Sequence, residues 1–195
     1  KEIYISGLTE VIVGQKRATI EQGVHDRKRD IMVGNIKVDT DETPAKLELK
    51  VRENFINTLN IPKRDVDSYV FTARHRLQNN GRGKAPNVIC VLVDLDHVNQ
   101  VLTAARKKGK EGQHIQSHLP RELQKWKHHC LYQRRLLINA GKDPKDVRVR
   151  DRRGFSVLQI KEGREYYDKL TYEVTLHDNT QFPVVIAIPQ PGDYQ

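Results

Sequence analysis

The feature that most restricts the fold of this chain is the segment Asn87–Leu95, which is almost continuously apolar. Successive side chains of a β-strand point to opposite faces of the sheet. A strand that is apolar at nearly every position is therefore typical of the inside of a sheet, where it is buried on both faces. We expect the chain to fold around a sheet that has this segment as an inner strand.

Two amphipathic helices are predicted on either side of this strand in the sequence. Thr43 and Pro44 form a helix start, because Thr is a favoured N-cap and Pro is tolerated in the first turn. Asp96 is the predicted N-cap of the second helix. Apolar residues recur at helical spacing in both segments: Leu47, Val51, Phe55 and Leu59 in the first, and Val98, Val101, Leu102 and Ala105 in the second.

Four strands are predicted around these helices: Ile3–Leu8, Asp65–Leu77, Asn87–Leu95 and His114–His118. The resulting order is strand, helix, strand, strand, helix, strand, which is typical of ferredoxin-like folds, including RNA-recognition motifs. The sequence thus predicts an α+β domain over residues 1–118, in which a four-stranded antiparallel sheet carries two helices on one face. Residues 9–43 form an atypical insertion, in which two edge strands flank the charged turn HDRKRD.

A second, smaller domain is predicted over residues 119–163. A basic helix runs from Pro120 to Ala140, and a β-hairpin follows over Val147–Ile160. Residues 164–195 are predicted to add a short helix and two strands, at Arg164–Leu170, Tyr172–His177 and Pro183–Ile188.

The positive charge of the chain is concentrated rather than spread. The formal net charge is +9, and residues 106–153 alone hold fifteen basic and five acidic side chains. Such a block favours a polyanionic partner over a general effect on solubility. No apolar run reaches the roughly 20 residues that a membrane span needs. Cys90 and Cys130 are predicted to be buried, unpaired thiols, which is typical of a reducing compartment.

Four segments resemble a known family: FTARHRLQ, NVICVLVDLDHVNQVLTAARKKGK, HLPRELQKWKHHCLYQRRLLINAGK and VRVRDRRGFSVLQIKEG. They are similar to the nucleic-acid-binding half of the protein encoded by the first open reading frame of LINE-type retrotransposons. The few-polyhedra proteins of insect baculoviruses have the same layout. The resemblance covers about residues 65–163. Residues 9–43 and the strands after Leu170 have no counterpart in the family.

The resemblance implies that single-stranded RNA or DNA binds, without strong sequence preference, in a cleft between the two domains. It also implies which basic residues contact the strand. They are Arg74 and Arg76 at a strand end, Arg106, Lys107 and Lys108 at a helix end, Arg134 and Arg135 in the basic helix, and Arg148, Arg150, Arg152 and Arg153 in the hairpin.

Other candidate contacts follow from the residues themselves. Tyr4 stands where RNA-recognition motifs carry a base-stacking ring, although the third strand has no ring and Tyr4 fits an ordinary half-buried position equally well. If Tyr69, Phe71 and Ala73 face the helices, strand alternation places Arg74 and Arg76 on the open face. Arg82 and Lys84 in the following loop, and Arg121 and Lys125 in the basic helix, extend the basic surface.

Enzyme activity is not expected. His128, His129 and Cys130 are consecutive, so they point to different sides of a helix, and no second Cys/His pair lies at zinc spacing. No nucleophile elbow, phosphate-binding loop or metalloprotease motif occurs. Asp94 and Asp96 fit helix capping better than metal binding. No metal, cofactor or small-molecule substrate is therefore predicted.

The sequence predicts a non-catalytic protein that binds and packages single-stranded nucleic acid, self-associates, and resides in a cytoplasmic ribonucleoprotein particle, a virion or the nucleus. Phosphate neutralisation by the basic block supplies the expected affinity. The alternative is a structural virion protein that assembles around its genome, with the extra strands as subunit contacts. A peptide-binding or scaffold domain is a third possibility, and it predicts no salt-sensitive affinity for RNA.

Overall fold

The computed structural model describes residues 2–78, 85–152, 154–174 and Pro183, and for residues 2–6 it describes only the backbone. The chain divides into two compact units. The four-strand unit is His25–His118, and the three-strand unit combines Lys1–Val24 with Leu119–Gln195. The predicted boundary at residue 118 coincides with the boundary between the units, but residues 1–24 belong to the unit that contains the C-terminal region.

The described residues form five helices and seven strands. The helices are α1 (Glu2–Asp26), α2 (Pro44–Asn57), α3 (Lys63–Asp67), α4 (Leu95–Lys107) and α5 (Arg121–Asn139). The strands are β1 (Asp30–Val33), β2 (Phe71–Arg76), β3 (Val88–Leu92), β4 (Ile115–Ser117), β5 (Val147–Arg152), β6 (Phe155–Glu162) and β7 (Glu165–Leu170).

The four-strand unit is a sheet with the order β2-β3-β1-β4, in which every neighbouring pair is antiparallel. Both α2 and α4 pack on one face of this sheet. Their apolar faces share one core with alternate residues of the strands, among them Ile31, Val33, Cys90 and Ile115. The predicted α+β class and the four-stranded antiparallel sheet are confirmed. The segment Asn87–Leu95 supplies an inner strand, as its composition predicts.

Helix starts follow the local chemistry of the sequence. The Thr43 hydroxyl accepts a hydrogen bond from the Lys46 backbone N–H at 3.2 Å, and Pro44 occupies the first turn of α2. The N-cap of α4 is Asp94, whose carboxylate accepts from the Asp96 N–H at 2.8 Å. The predicted cap at Asp96 is therefore wrong by two residues, because the strand ends early enough for the first aspartate to take that position.

The predicted first strand is wrong. Ile3–Leu8 lies in α1, and the first strand of the sheet is Asp30–Val33, inside the segment read as an insertion with edge strands. This strand lies between β3 and β4, so it is an inner strand. Its position has a physical reason: Ile31 and Val33 are fully buried in the core, whereas the side chain of Leu8 is half exposed.

In the three-strand unit, α5 packs against a sheet with the order β5-β6-β7, and Ile20 of α1 packs with Leu123 of α5. Trp126 lies at the centre of its core and donates its indole N–H to the Ser156 carbonyl at 2.6 Å. The predicted basic helix and the predicted hairpin are both confirmed. The hairpin turns at Gly154, whose φ of 88° favours glycine and whose N–H donates to the Asp151 carboxylate at 2.7 Å.

The end of the chain differs from the prediction. Arg164–Leu170 was predicted as a helix, but Glu165–Leu170 is strand β7, which pairs antiparallel with β6. Gly163, at a φ of 65°, makes the tight connection, and the two tyrosines that follow favour a strand. Residues 171–174 form no strand. The rest of the predicted strands Tyr172–His177 and Pro183–Ile188 lies outside the described residues, apart from Pro183.

Candidate nucleic-acid interface

Three arginines of β5 lie on the face of the three-stranded sheet that points away from α5; we call this the arginine face. Val147 and Val149 pack toward the core beneath α5. Because side chains alternate along a strand, Arg148, Arg150 and Arg152 point to the opposite face, and all three are exposed. The prediction that Arg148 and Arg150 project from one face is confirmed.

Two of these arginines are held in fixed positions by their neighbours. The Arg148 guanidinium lies 3.6 Å from the centre of the Tyr166 ring, and its Nε donates to Gln159 Oε1 at 2.9 Å. Arg152 donates to both carboxylate oxygens of Asp168, at 2.7 and 3.2 Å. A guanidinium held in this way loses less conformational entropy when it binds an anion than a free side chain does.

Asp168 is the acidic group on this face, and it is kept ionised. The Gln159 amide donates to it at 2.6 Å, and this hydrogen bond is the largest cause that lowers the pKa of Asp168. Burial opposes this effect, whereas the hydrogen bond from Arg152 and the charges of Arg152 and Arg150 reinforce it. The carboxylate offsets one of the three arginine charges, so the face keeps a net positive charge.

Arg150, between the two held arginines, is the available cation. It is exposed, and it makes no hydrogen bond or ion pair with any residue in the described part of the chain. Its guanidinium has five N–H donors, in a planar arrangement that matches the oxygens of a phosphate. Arg150 is therefore the residue of this face best suited to bind a new anion.

A second group of cations lies along α5. Arg121, Lys125 and Arg135 are exposed, and they share one side of the helix with His128 and Tyr132 at spacings of three and four residues. We call these five residues the α5 stripe.

Arg134 has a different role. It donates to the Val147 carbonyl at 2.8 Å and to the Pro144 carbonyl at 3.3 Å, so it ties α5 to the start of β5. Those bonds occupy two of its N–H groups within the three-strand unit. The structure thus separates Arg134 from its neighbour Arg135, although the resemblance implies the same role for both.

A β-bulge changes the direction of side chains in β2. Phe71 pairs with Leu92 and Ala73 pairs with Val91, so Thr72 is an extra residue with no partner in β3. An extra residue reverses the simple alternation of faces for every residue after it. After the bulge, the even-numbered residues of β2 therefore lie on the same face as Phe71.

Arg74 and Arg76 lie after this bulge and so lie on the helix-covered face. They pair with Cys90 and Val88, whose side chains belong to the core beneath the helices. Arg74 Nε is 3.0 Å from the carboxylate of Glu48 in α2. The prediction that the two arginines line the open face of the sheet is therefore wrong.

Arg76 is occupied by structural contacts. It donates to the backbone carbonyls of Ile36, Lys37 and Pro86, at 2.8 to 3.1 Å. Its Nε and one terminal nitrogen donate to the two carboxylate oxygens of Glu42, at 2.5 and 2.8 Å. The hydrogen bond from Arg76 is the largest cause that lowers the pKa of Glu42 to about 2. This arginine closes the loop before α2 against the sheet.

On the face of the four-stranded sheet away from α2 and α4, the described residues form no aromatic platform. In the register of the strands, this face carries Asp30, Met32, Ala73, His75, Ile89, Val91 and Gln116. None of these described residues is Phe, Tyr or Trp. Base stacking of the kind found in RNA-recognition motifs needs such rings on the central strands, so the described part of this face is unsuited to it.

The candidate rings lie elsewhere. Tyr4 belongs to α1, not to a strand, so its predicted place in the sheet is wrong. Tyr69 is 1% exposed; its hydroxyl donates to Gln100 at 2.8 Å, and burial raises its pKa to about 12. Phe71 is also buried, 4.8 Å beneath the guanidinium of Arg52. Both rings serve the core.

The remaining predicted contacts fall into two groups. Arg106 and Lys107 are exposed in the last turn of α4, and Lys108 caps it, where cations are favoured by the helix dipole. Lys107 and Lys108 also line a groove of about 620 Å³ beside α4. Arg82, Lys84 and Arg153 lie outside the described residues.

Sequence reasoning missed Tyr166, Gln159 and Asp168, which hold the arginines of β5. Tyr166 and Asp168 were missed because the segment after Gly163 is predicted as a helix, and Gln159 was missed because its partners Arg148 and Asp168 lie on neighbouring strands. Its pattern does contain a signal: Tyr166 and Asp168 alternate with Tyr167 and Lys169, as in a strand with two different faces.

The described residues contain no group of three or more His, Cys, Asp or Glu side chains that is arranged to hold a metal ion. Burial raises the pKa of both Cys90 and Cys130 to about 12, which leaves these thiols unreactive in the folded state. Among the described helices, none is long and apolar enough to cross a membrane.

No protein-family model matches this sequence, and no curated protein sequence is significantly similar to it.

Proposed function

We propose that this protein binds single-stranded nucleic acid, RNA or DNA, without strong sequence preference, and packages it in a ribonucleoprotein particle or virion. The single observation that carries the proposal is the arginine face, on which Arg148, Arg150 and Arg152 are exposed at alternate positions of one strand. Arg150 has no ion-pair partner among the described residues, and the other two arginines are held by Tyr166 and Asp168.

The chemistry of this face suits a sugar–phosphate backbone. Planar guanidinium groups bind phosphate oxygens in pairs, and an exposed row of them tracks a backbone without reading bases. Tyr166 places an aromatic ring beside the row, although Arg148 covers one side of that ring. Affinity on such a surface comes chiefly from counterion release, so it falls steeply with salt.

The fold supports the same proposal. We assign residues 30–118 to the ferredoxin-like class, because the strand order β4-β1-β3-β2, with one helix between β1 and β2 and another between β3 and β4, is the split βαβ arrangement. The short α3 is an addition before β2. The resemblance of residues 65–163 to the retrotransposon proteins adds support, and the arginine row of β5 is part of that resemblance.

The test is a salt-dependent titration of Arg150→Gln with a labelled single-stranded oligonucleotide. If Arg150 neutralises one phosphate, its loss reduces the slope of log K against log salt by about 0.7. At a salt concentration of about 0.15 M, that slope corresponds to about fourfold weaker binding. Lys63→Gln is the matched control. Lys63 is exposed on α3, so its substitution removes the same charge from a different surface.

An unchanged slope in Arg150→Gln, or an equal loss in Lys63→Gln, contradicts the assignment of the arginine face. Absence of any salt-sensitive binding by the unaltered protein contradicts the function itself. Light scattering on the same samples measures self-association. Discrete shells formed without nucleic acid would favour a structural virion protein instead.

A further inference from the structure

We infer that the three-strand unit carries two separate nucleic-acid-binding faces, and that one chain therefore holds two strands at once. The second face is the α5 stripe. This inference rests on the proposed function, because it assigns the same kind of ligand to a second surface. It replaces the single cleft that the sequence analysis predicts for all the basic residues of this region.

The α5 stripe and the arginine face point in opposite directions. The buried side of α5, formed by Trp126, Cys130 and Leu137, packs on the inner face of the sheet. Lys125 and Arg135 lie on the other side of the helix and are exposed. The arginine face is the outer face of the same sheet. Because α5 packs directly on the sheet, the side of α5 away from the sheet and the outer face of the sheet point in opposite directions. The other helix of the unit, α1, contributes Ile20 and Val24 to a separate cluster with Leu119, Leu123 and Phe155.

The α5 stripe carries a row of positive charges. Arg121, Lys125 and Arg135 make no hydrogen bond or ion pair with another residue that the structure describes. The acidic residue of the helix, Glu122, lies off the stripe and bonds the Tyr172 hydroxyl at 3.3 Å. The stripe is thus a row of uncompensated cations, and a polyanion is the partner that complements it.

The α5 stripe is long, and aromatic rings lie between its charges. From Arg121 to Arg135 it extends about 21 Å along the helix, at 1.5 Å per residue. Tyr132, which is 40% exposed, and His128 place two rings between the cations. A positive row with rings between its charges is the arrangement that holds single strands, because the charges bind phosphates and the rings stack on bases.

The consequence is that each chain can bridge two strands. A strand on the arginine face leaves the α5 stripe free for a second strand, and the unit between them lowers the repulsion of the two phosphate backbones. Bridging of this kind brings strands together during packaging, and it needs no contact between protein chains.

The experiment compares the unaltered protein with three variants that change the net charge equally. The stripe variant is Lys125→Glu with Arg135→Glu. The arginine-face variant is Arg150→Glu with Lys161→Glu, because Lys161 is exposed and lies opposite Tyr166 on that face. The control is Lys63→Glu with Lys110→Glu, two exposed positions of the four-strand unit. Circular dichroism and Trp126 fluorescence verify that each variant is folded. Calorimetric titration with a six-nucleotide oligouridine then counts strands per chain.

We expect two strands per chain for the unaltered protein and the control, and one for each face variant. In a second assay, energy transfer between donor-labelled and acceptor-labelled strands should rise with the unaltered protein and stay at background with either face variant. Bridging that came from association of one-site chains would instead persist in the stripe variant.

The outcomes separate this inference from the proposed function. One strand per chain in the unaltered protein, or two in the stripe variant, overturns the inference while binding itself stands. No binding by the unaltered protein removes the proposed function, and the inference with it.

Discussion

The ion pair between Glu42 and Arg76 should make the stability of the four-strand unit depend on acid. The Glu42 carboxylate bonds two nitrogens of Arg76 and also accepts from Lys50 at 3.0 Å. Its side chain is only 12% exposed, so water screens these interactions weakly. We therefore predict that Glu42→Gln, which keeps the shape of the side chain and removes its charge, destabilises this unit.

The magnitude follows from the pKa. A fall from the usual 4.5 to about 2 corresponds to about 3 kcal/mol of stabilisation at neutral pH. Because the folded-state pKa is the lower one, this stabilisation is complete above a pH of about 4.5 and is lost as the pH falls toward 2. The amide of Gln still accepts a hydrogen bond, so a loss of about 2–3 kcal/mol is expected at pH 7.

The assay is urea unfolding of the unaltered protein and Glu42→Gln, followed by far-ultraviolet circular dichroism at pH 7 and near pH 2.5. Trp126, the single Trp of the chain, lies in the three-strand unit, so its fluorescence reports on that unit separately. Glu53→Gln, at an exposed position of α2, is the control. A stability difference that is absent at pH 7, or equally large near pH 2.5, would refute the linkage argument.

Two further predictions concern the three-strand unit. Arg134→Gln should lower the stability of this unit by about 1–2 kcal/mol, because the Val147 carbonyl loses a charged donor. Urea unfolding followed by Trp126 fluorescence measures the loss, and an equal loss in Arg135→Gln would contradict the prediction. Gly154→Ala should cost about 1–3 kcal/mol, because φ is 88° and the new Cβ would lie 2.8 Å from Val24 Cγ1. Gly163→Ala, also at positive φ but with open space around it, should cost less in the same assay.

Local patterns were sufficient to predict the elements that are specified by neighbouring residues. Thr43 and Pro44 start α2 as predicted, since capping depends on side chains within one turn. The apolar run at Asn87–Leu95 and the alternation of valine with arginine in β5 located an inner strand and a hairpin strand correctly. In the candidate site, this alternation alone predicts that Arg148 and Arg150 share one face, as they do in the structure.

Other features depended on contacts between distant residues. Ile3–Leu8 and Asp30–Val33 are both short apolar segments, and the inner position of the sheet is filled by the one whose Ile31 and Val33 reach the core. The bulge at Thr72 reversed the direction of Arg74 and Arg76, because a bulge is defined by pairing with β3 rather than by the sequence of β2.

The position of the positive charge along the chain can be read from the residues alone, because charge is a property of each residue. Which of those charges are available to a ligand depends on the contacts made in the folded chain. Arg76 forms an ion pair with Glu42, and Arg134 donates hydrogen bonds to backbone carbonyls. Arg150 and Lys125, in contrast, have no ion-pair partner among the described residues. The packing of α5 on one face of its sheet also placed the basic residues of α5 and of β5 on two opposed surfaces. Burial and partner choice arise only when segments distant in sequence meet in space.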